Sequence, residues 1–309
     1  MPHVKIFSGS ASRYLAEKIA NAYGQPLGDA TLQHFSDGEI APHLNESVRG
    51  AEVFIVQSTF PPADNLLELM LMVDAAKRAS AHKVIVVMPY YGLARQDRKD
   101  KPRVSIGAKV VANAIQSVGA DRLMTCDLHA GQIQGFFDIP VDHLDGSAIF
   151  VPYLRSLNLG SNLIFASPDV GGVVRTRAFA KNFGAEMVVC DKHRKRANEI
   201  ASMQVIGDVE GMDVVLVDDM VDTAGTITKA AELLKEKGAK SVRAIATHPV
   251  LSGPAYERIE NSVLEELVVS DTIPLKQECS KIKVLSFSEL FARAINNVVT
   301  NESISSLFI

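Results

Sequence analysis

The chain has 309 residues, 47% of them hydrophobic and 22% charged, which fits a globular protein with a real core in two ordinary domains or one large one. Its formal net charge of −4 argues against a general nucleic-acid surface, although clustered positive charges can still bind small anions. No apolar run approaches the ~18 residues of a membrane-spanning helix, so we expect no membrane partner.

The cysteines are few and isolated. Cys126, Cys190 and Cys279 form no CxxC pair and no zinc-binding spacing, and their number is odd. This usage is typical of a reducing compartment. The first ten residues, MPHVKIFSGS, lack the apolar core of a signal peptide. We therefore expect a cytoplasmic location.

Short apolar runs alternate along the chain with segments of helical periodicity. The predicted strands are residues 4–7, 53–57, 84–88, 122–126, 163–167, 187–190, 214–218 and 242–247. Helices lie between them, among them residues 64–80 and 226–237, the second with Ile227 and Leu234 on one apolar face and Gly238 at its end. This alternation predicts an α/β fold with mainly parallel sheets flanked by helices.

Residues 53–90 and 214–249 repeat one pattern. Each predicts a strand, a loop containing Asp, a helix containing Ala-Ala, a short turn and a second strand shortly before Pro. The repeat favours two similar α/β domains with a boundary near residues 140–150. Chance is the alternative, because strand–helix–strand units look alike wherever they occur.

The stretch VVLVDDMVDTAGTI, residues 214–227, carries the strongest chemical signal. Asp218 and Asp219 end a buried strand, and a small, hydroxyl-rich turn then opens a helix. Carboxylates accept hydrogen bonds from sugar hydroxyls, whereas helix N-termini and hydroxyls bind phosphate. Ligands bind beyond the carboxyl ends of parallel strands. The stretch predicts a phosphorylated-ribose site; a capping turn with surface acids is the alternative.

Other polar segments also follow predicted strands. ARQDRKDKPR, residues 94–103, has the cation density that a triphosphate requires, although a solvated charged loop is the alternative for its later cations. DKHRKRANE, residues 191–199, is a second basic segment with the same alternative. His129 and Asp169 follow strands without chelating spacing. Walker and dinucleotide-binding glycine motifs are absent from the sequence.

Taken together, the motifs resemble one enzyme family. VLVDDMVDTAGT resembles the loop shared by type I phosphoribosyltransferases and ribose-phosphate pyrophosphokinases. The motifs that resemble the second family specifically are FSDGE at 35–39, ARQDRK at 94–99, DLHAGQIQGFF at 127–137, SPDVGG at 167–172, DKHRKRANE at 191–199 and SGPA at 252–255. The resemblance covers nearly the whole chain, including its ESISSLF ending.

The resemblance implies a fold and a reaction. The fold is two similar type I phosphoribosyltransferase-like domains, residues 1–143 and 144–296, with residues 297–309 packing on the first. The reaction transfers the β,γ-diphosphoryl group of ATP to the 1-hydroxyl of ribose 5-phosphate, giving 5-phosphoribosyl 1-diphosphate and AMP for nucleotide and amino-acid biosynthesis. A non-catalytic regulatory homologue and a phosphoribosyltransferase that consumes this product are the rival hypotheses.

The resemblance also implies residue roles. Ribose 5-phosphate would bind to Asp218, Asp219, Asp222, Thr223, Ala224, Gly225 and Thr226. ATP would bind to Phe35, Asp37 and Glu39 of a neighbouring subunit and to Arg95, Gln96 and His129. His129 and Asp169 would hold Mg²⁺, and Lys192 and Arg194 of a mobile loop would stabilise the transferring group.

An oligomer and its regulation follow from the same resemblance. The family forms homo-oligomers, commonly hexamers, with phosphate and ADP as effectors at an interface site. The matching positions are Arg49, Ser80, Ser303, Ser305 and Ser306. Two departures from the family pattern are visible: a loop at residues 58–69 that is about one residue short, and Gly107 where Ser or Thr is usual.

Overall fold

The computed structural model describes residues 3–196 and 199–307, and over residues 192–196 and 199–202 it describes the backbone alone. The described chain divides into two compact units. The first unit contains the residues up to Asp145 together with those from Phe287 onward, and the second is Gly146–Ser286. No helix in these described ranges combines the length and the apolar character that a membrane crossing needs.

Strands and helices alternate throughout. The strands are β1 (Val4–Ser8), β2 (Ala30–His34), β3 (Ile40–Leu44), β4 (Glu52–Val56), β5 (Lys83–Met88), β6 (Arg122–Cys126), β7 (Val141–Leu144), β8 (Leu163–Ser167), β9 (Met187–Arg196), β10 (Glu199–Ile206), β11 (Asp213–Val221), β12 (Ser241–Pro249), β13 (Leu267–Ser270) and β14 (Ile282–Leu285). The helices are α1 (Arg13–Tyr23), α2 (Asp64–Arg78), α3 (Gly107–Ser117), α4 (Ser147–Ser156), α5 (Val173–Phe183), α6 (Gly225–Glu236), α7 (Ala255–Glu260) and α8 (Ser288–Thr300).

The first unit is built on a five-stranded parallel sheet in the order β1-β4-β5-β6-β7. All five residues of β4 are buried, as expected for a strand covered on both faces. Val53 and Ile55 of β4 pack in one core with Leu69 of α2 and Ile115 of α3. The late helix α8 returns to this unit and packs against α1. Strands β2 and β3 form a separate antiparallel ribbon.

The second unit is built on a seven-stranded sheet in the order β10-β9-β8-β11-β12-β13-β14, parallel except for the β9–β10 pair. Alternate residues of β11 enter two cores: Leu216 packs in a core with Ile227 of α6, and Val217 in one with Phe179 of α5. The chain runs from β8 to β9 on one side of β8, whereas β11 lies on the other side. This reversal opens a crevice at the carboxyl ends of β8 and β11.

The α/β class with parallel sheets and flanking helices is confirmed. Each of the eight apolar runs coincides with a strand to within one residue at its start, and both delimited helices are present as α2 and α6. Strands β2, β3, β7, β10, β13 and β14 were not predicted. Several of them carry too weak a pattern, since β2 is largely exposed and β7 is only four residues long.

Candidate functional site

Strand β11 delivers two carboxylates to the crevice of the second unit. Asp219 is only 4% exposed, and its backbone N–H donates to Oδ1 of Asp218 at 2.9 Å. A neighbouring cation is Arg175 of α5, whose Nη1 lies 3.5 Å from Oδ1 of Asp219. Because this guanidinium also acts on the charge of Asp218, the two acids share it.

The charged form of Asp218 is disfavoured at this strand end. Burial, followed by the charge of Asp219, raises the pKa of Asp218 well above its usual value, and Asp169 adds to the effect. Arg175 opposes the shift without cancelling it. Carboxylates held this close gain from a ligand that donates hydroxyl hydrogens or from a cation placed between them.

The loop after β11 leads directly into α6, which begins at Gly225. The first turn of α6 contains no acidic side chain, so its positive end is not neutralised from within the helix. Asp222, just before this turn, is engaged by Ser252, which donates through its hydroxyl to Oδ1 and through its backbone N–H to the carbonyl oxygen of Asp222 at 3.0 Å. This contact explains how a third acid can stand beside a turn that is predicted to bind phosphate.

Asp169 lies on the other side of the same crevice, after β8. Its Oδ1 accepts a hydrogen bond from the backbone N–H of Gly172 at 3.2 Å, while the hydroxyl of Ser167 donates to its carbonyl oxygen at 2.6 Å. Strand β8 pairs in parallel with β11 as far as Ala166 and Leu216, so Asp169 and Asp218 follow this pairing at the same edge of the sheet. Within the second unit, the fold thus brings Asp169, Asp218 and Asp219 together.

A metal ion was expected at His129 and Asp169. The described residues contain no group of three or more His, Cys, Asp or Glu side chains arranged to hold a metal ion. Mg²⁺ commonly uses one or two carboxylates and takes its other ligands from phosphates and water. Asp169 lies close enough to Asp218 for its charge to help raise the pKa of Asp218, and the assignment of Mg²⁺ to His129 and Asp169 stays a prediction.

In the first unit, the predicted ATP residues follow two adjacent strands. Arg95 and Gln96 come after β5, and His129 comes after β6, which pairs with β5 in parallel. All three side chains are exposed. Gln96 lies against Gly107, where an added Cβ would stand 2.7 Å from its Oε1. Gly107, where the family usually has Ser or Thr, therefore leaves room for the Gln96 carboxamide.

The turn that carries His129 is supported by a residue that was not predicted. Nε2 of His143, on β7, accepts a hydrogen bond from the backbone N–H of Leu128 at 2.9 Å. The preceding residue, Asp127, is buried and has a φ of 40°, in the left-handed region that side-chain-bearing residues rarely adopt. His143 thereby helps to fix the turn from which His129 projects.

The predicted adenine residues lie on the turn between β2 and β3. The backbone N–H of Phe35 donates to the carbonyl oxygen of Glu39 at 2.8 Å, and that of Glu39 donates to Oδ1 of Asp37 at 3.0 Å. Gly38 supplies the φ of 96° that the turn requires. The Phe35 ring is 46% exposed and so presents an apolar surface to solvent.

Lys192 and Arg194 lie on β9, where their backbones pair with Met203 and Ile200 of β10. Their side chains fall outside the described part of the structure, so their predicted catalytic role stays a prediction. The basic segment begins in a strand of the second unit's sheet rather than directly in a loop.

The five predicted effector positions form two local groups in the first unit. Nη1 of Arg49 donates to the hydroxyl of Ser80 at 3.3 Å. Near the other end of the chain, the carbonyl oxygen of Ser303 accepts from the hydroxyl of Ser306 at 2.9 Å, and the Ser303 hydroxyl accepts from the backbone N–H of Ser305 at 3.2 Å. These hydrogen bonds hold the side chains of each group in place. The effector role of the five residues stays a prediction.

Arg175 and Ser252 were also missed as parts of the site. Arg175 stands on a helix 44 residues before its partner Asp219, and Ser252 is 30 residues beyond Asp222. SGPA at 252–255 was among the family-like motifs, which was the one sequence signal for Ser252.

Comparisons with known proteins identify the family of this chain. A family model described as the N-terminal domain of ribose phosphate pyrophosphokinase matches residues 4–119, and one described as the phosphoribosyl synthetase-associated domain matches residues 184–309. The chain is 58% identical to a ribose-phosphate pyrophosphokinase of Porphyromonas gingivalis, over 98% of this chain and 97% of that protein. A Campylobacter jejuni protein of the same name is 57% identical over 99% of each chain.

A solved structure gives the same assignment. The crystal structure of phosphoribosylpyrophosphate synthetase from Mycobacterium smegmatis superposes with a TM-score of 0.92 at 37% identity, covering 97% of this chain and 99% of that one. Sequence and fold thus match over essentially the full length. The chain belongs to the ribose-phosphate pyrophosphokinase family.

Proposed function

We propose that this chain transfers the β,γ-diphosphoryl group of ATP to the 1-hydroxyl of ribose 5-phosphate, giving 5-phosphoribosyl 1-diphosphate and AMP for nucleotide and amino-acid biosynthesis. Family membership over the whole chain supports the reaction. The structural observation that carries it is the crevice between β8 and β11, where Asp169, Asp218 and Asp219 lie together beside the N-terminus of α6, whose first turn contains no acid.

In this proposal two groups of residues bind opposite ends of one sugar. The carboxyl groups bind the ribose hydroxyls, and the loop after β11 binds the 5-phosphate. Asp218 and Asp219 accept hydrogen bonds from the ribose hydroxyls, because ionised carboxylates are strong acceptors of hydroxyl hydrogens. Residues 223–226 and the N-terminus of α6 bind the 5-phosphate through backbone N–H groups and the hydroxyls of Thr223 and Thr226. Ser252 keeps the Asp222 carboxylate engaged and so limits its repulsion of the phosphate.

ATP is assigned to the residues of the first unit that follow β5 and β6. Arg95 supplies a guanidinium for the triphosphate, Gln96 an amide, and His129 a ring nitrogen. Phe35 offers an exposed ring for the adenine, and the acids Asp37 and Glu39 can accept hydrogens from its amino group. These last three are proposed to serve a neighbouring subunit.

The chemical step relies on positioning and charge, because phosphoryl transfer passes through a loose transition state. Lys192 and Arg194 are proposed to stabilise the negative charge on the transferring diphosphoryl group. Mg²⁺, held by Asp169 and His129, would supply charge neutralisation at the phosphate oxygens. Asp218 and the 223–226 loop meanwhile hold the ribose so that its 1-hydroxyl is in place for attack.

The proposed assembly is a homo-oligomer, a hexamer by family resemblance, with phosphate and ADP as effectors near Arg49, Ser80 and Ser303–Ser306. A cytoplasmic location is proposed from the cysteines, which are free at all three positions. The predicted domains 1–143 and 144–296 remain a proposal, supported by the division of the described chain into two units.

The test is an end-point assay on the purified chain with Mg²⁺, ATP and ribose 5-phosphate, in which ³¹P NMR and chromatography follow the products. Equal amounts of AMP and 5-phosphoribosyl 1-diphosphate are expected. Absence of both would reject the proposal in favour of a non-catalytic homologue. Consumption of 5-phosphoribosyl 1-diphosphate that requires a nucleobase and no ATP would identify a phosphoribosyltransferase instead.

A further inference from the structure

A short segment after β12, residues 251–258, is hydrogen-bonded to the loop that follows β11. We call residues 251–258 the brace. The backbone N–H groups of Leu251 and Ser252 donate to the carbonyl oxygens of Val221 at 2.9 Å and Asp222 at 3.0 Å. Nη1 of Arg258 donates to the carbonyl oxygen of Thr223 at 3.0 Å. Three successive carbonyls, of the last residue of β11 and the first two residues of the loop, are thus held from one side.

This pattern fixes the direction of the loop's N–H groups. In a trans peptide the C=O and the N–H point in opposite directions. Because the brace holds the carbonyls of residues 221, 222 and 223, the N–H groups of Asp222, Thr223 and Ala224 are directed away from the brace. Successive N–H groups with a common direction are the elements of an anion-binding concavity.

The loop is also under backbone strain that needs external support. Ala224 has φ 61° and ψ −1°, a left-handed conformation that L residues disfavour. It is only 4% exposed and packs in a core that includes Leu251 and Ala255 of the brace. Conformations of this kind persist where the surrounding structure over-determines them, and they gather at functional sites.

The brace also adjusts the charge beside the loop. The Ser252 hydroxyl donates to the Asp222 carboxylate, which keeps this anion occupied. The Arg258 guanidinium adds a cation that lies 3.1 Å from the position of a Cβ built on Gly225. Both effects lower the negative potential that a bound phosphate would meet.

We propose that the brace is a positioning element for the reaction, in which Ser252 and Arg258 set the affinity of the 222–226 loop for the phosphate of ribose 5-phosphate. The proposal rests on the assignment of that loop to the 5-phosphate. Neither residue needs to touch the substrate, because each acts through a loop carbonyl or through Asp222.

The test compares Ser252→Ala, Ser252→Thr and Arg258→Met with the unmodified chain, measuring the KM for each substrate, the kcat and the thermal midpoint. Ser252→Ala and Arg258→Met should each raise the KM for ribose 5-phosphate about tenfold, the effect of one hydrogen bond that involves a charged group. The KM for ATP should stay within about twofold, and Ser252→Thr, which restores the hydroxyl, should recover most of the affinity. Calorimetric titration with ribose 5-phosphate alone should show the same loss of affinity.

Thr226→Ala, a variant of the loop itself, separates failure of the brace from failure of the site. If Thr226→Ala weakens ribose 5-phosphate and the brace variants do not, the inference is overturned and the site stands. If Thr226→Ala leaves ribose 5-phosphate unaffected, the assigned phosphate site is wrong and the inference fails with it. If the brace variants weaken ATP and ribose 5-phosphate equally while lowering the thermal midpoint, their role is only structural.

Discussion

Both units contain the same strand–loop–helix–strand motif, but the polar groups where its first strand ends differ between them. In the first unit, β4 is followed by Gln57, which is fully buried and donates through Nε2 to Oε2 of Glu68 at 2.9 Å. Glu68 also accepts from the backbone N–H of Ser10 at 2.8 Å. In the second unit, β11 carries Asp218 and Asp219 near its end, where burial and the neighbouring carboxylates raise the pKa of Asp218. The first strand end is closed by hydrogen bonds within the unit, whereas the second carries a carboxyl group whose charged form is disfavoured.

The topology of the two sheets reinforces this difference. The first sheet adds its strands in one direction, β1-β4-β5-β6-β7. The second reverses at β8, so that β9 and β11 lie on opposite sides of it. Such a reversal separates neighbouring loops at the strand ends enough to leave a crevice. Among the described sheets, the one with the reversal carries the proposed sugar site.

The largest expected effect concerns the β9–β10 hairpin, which belongs to the second sheet and has no counterpart among the described strands of the first. We expect Lys192→Ala to lower kcat by about 10²–10³-fold, because a charge that acts mainly in the transition state is lost. The KM values should change little. The control is Lys181→Ala, which removes an exposed cation from α5 of the same unit. A loss confined to substrate affinity would contradict a catalytic role for Lys192.

The second prediction contrasts the two strand ends directly. We expect Asp218→Ala to raise the KM for ribose 5-phosphate about 10- to 100-fold, since hydrogen bonds to a charged group contribute about 1.5–3 kcal/mol. Steady-state kinetics with ribose 5-phosphate varied at saturating ATP measures it. Gln57→Leu, at the equivalent strand end of the first unit, should leave this KM within about twofold. An unchanged KM in Asp218→Ala would show that Asp218 serves only to cap its loop.

Gln57→Leu should instead affect the fold. The variant leaves the backbone N–H of Ala11 without the Gln57 Oε1 that accepts from it at 3.2 Å, and removes one donor to Glu68. Leaving buried polar groups unsatisfied destabilises by about 1–3 kcal/mol. The midpoint of urea unfolding should fall accordingly, with kcat preserved. If stability were unchanged, the first strand end would not be closed by this network.

The sequence was most informative where an apolar run is followed directly by polar residues. Apolar runs correctly located the central strands. Polar residues directly after these runs indicated the candidate sites, because parallel strands deliver their following residues to one sheet edge. The pairing of Arg175 with Asp219 could not be predicted, since it depends on how α5 packs against β11. The same holds for Ser252 and Asp222, which meet only because β11 and β12 pair in register. Tertiary packing decides which charges are compensated.

Arg175 gives a prediction with a pH dependence. Arg175→Met removes the cation beside the buried Asp219, and because the guanidinium is partly exposed we expect a loss of about 1–3 kcal/mol of unfolding free energy. The raised pKa of Asp218 means that the folded chain holds this proton more tightly than the unfolded chain. The resulting stability is present at low pH and is lost as the pH rises through the folded-state pKa.

Because Arg175 lowers the pKa of Asp218, its removal should raise that pKa further, and the loss of stability in Arg175→Met should be larger at about pH 8 than at about pH 5. Urea unfolding at several pH values measures it. The matched control is Arg177→Met on the exposed side of the same helix, which should change stability by less than about 0.5 kcal/mol at either pH. A deficit that grows on acidification would contradict the assigned charge balance.

The smallest expected effect belongs to the first unit, at Gly107. Because a Cβ there would stand 2.7 Å from Oε1 of Gln96, Gly107→Ala must displace that carboxamide from its present position. We expect the KM for ATP to rise about two- to fivefold and the KM for ribose 5-phosphate to stay unchanged, since the two substrates are assigned to different units. Gly135→Ala, whose added Cβ would meet no atom within 4 Å, is the control. If Gly107→Ala altered the ribose 5-phosphate KM instead, the assignment of Gln96 to the ATP site would be wrong, and with it the division of the substrates between the two units.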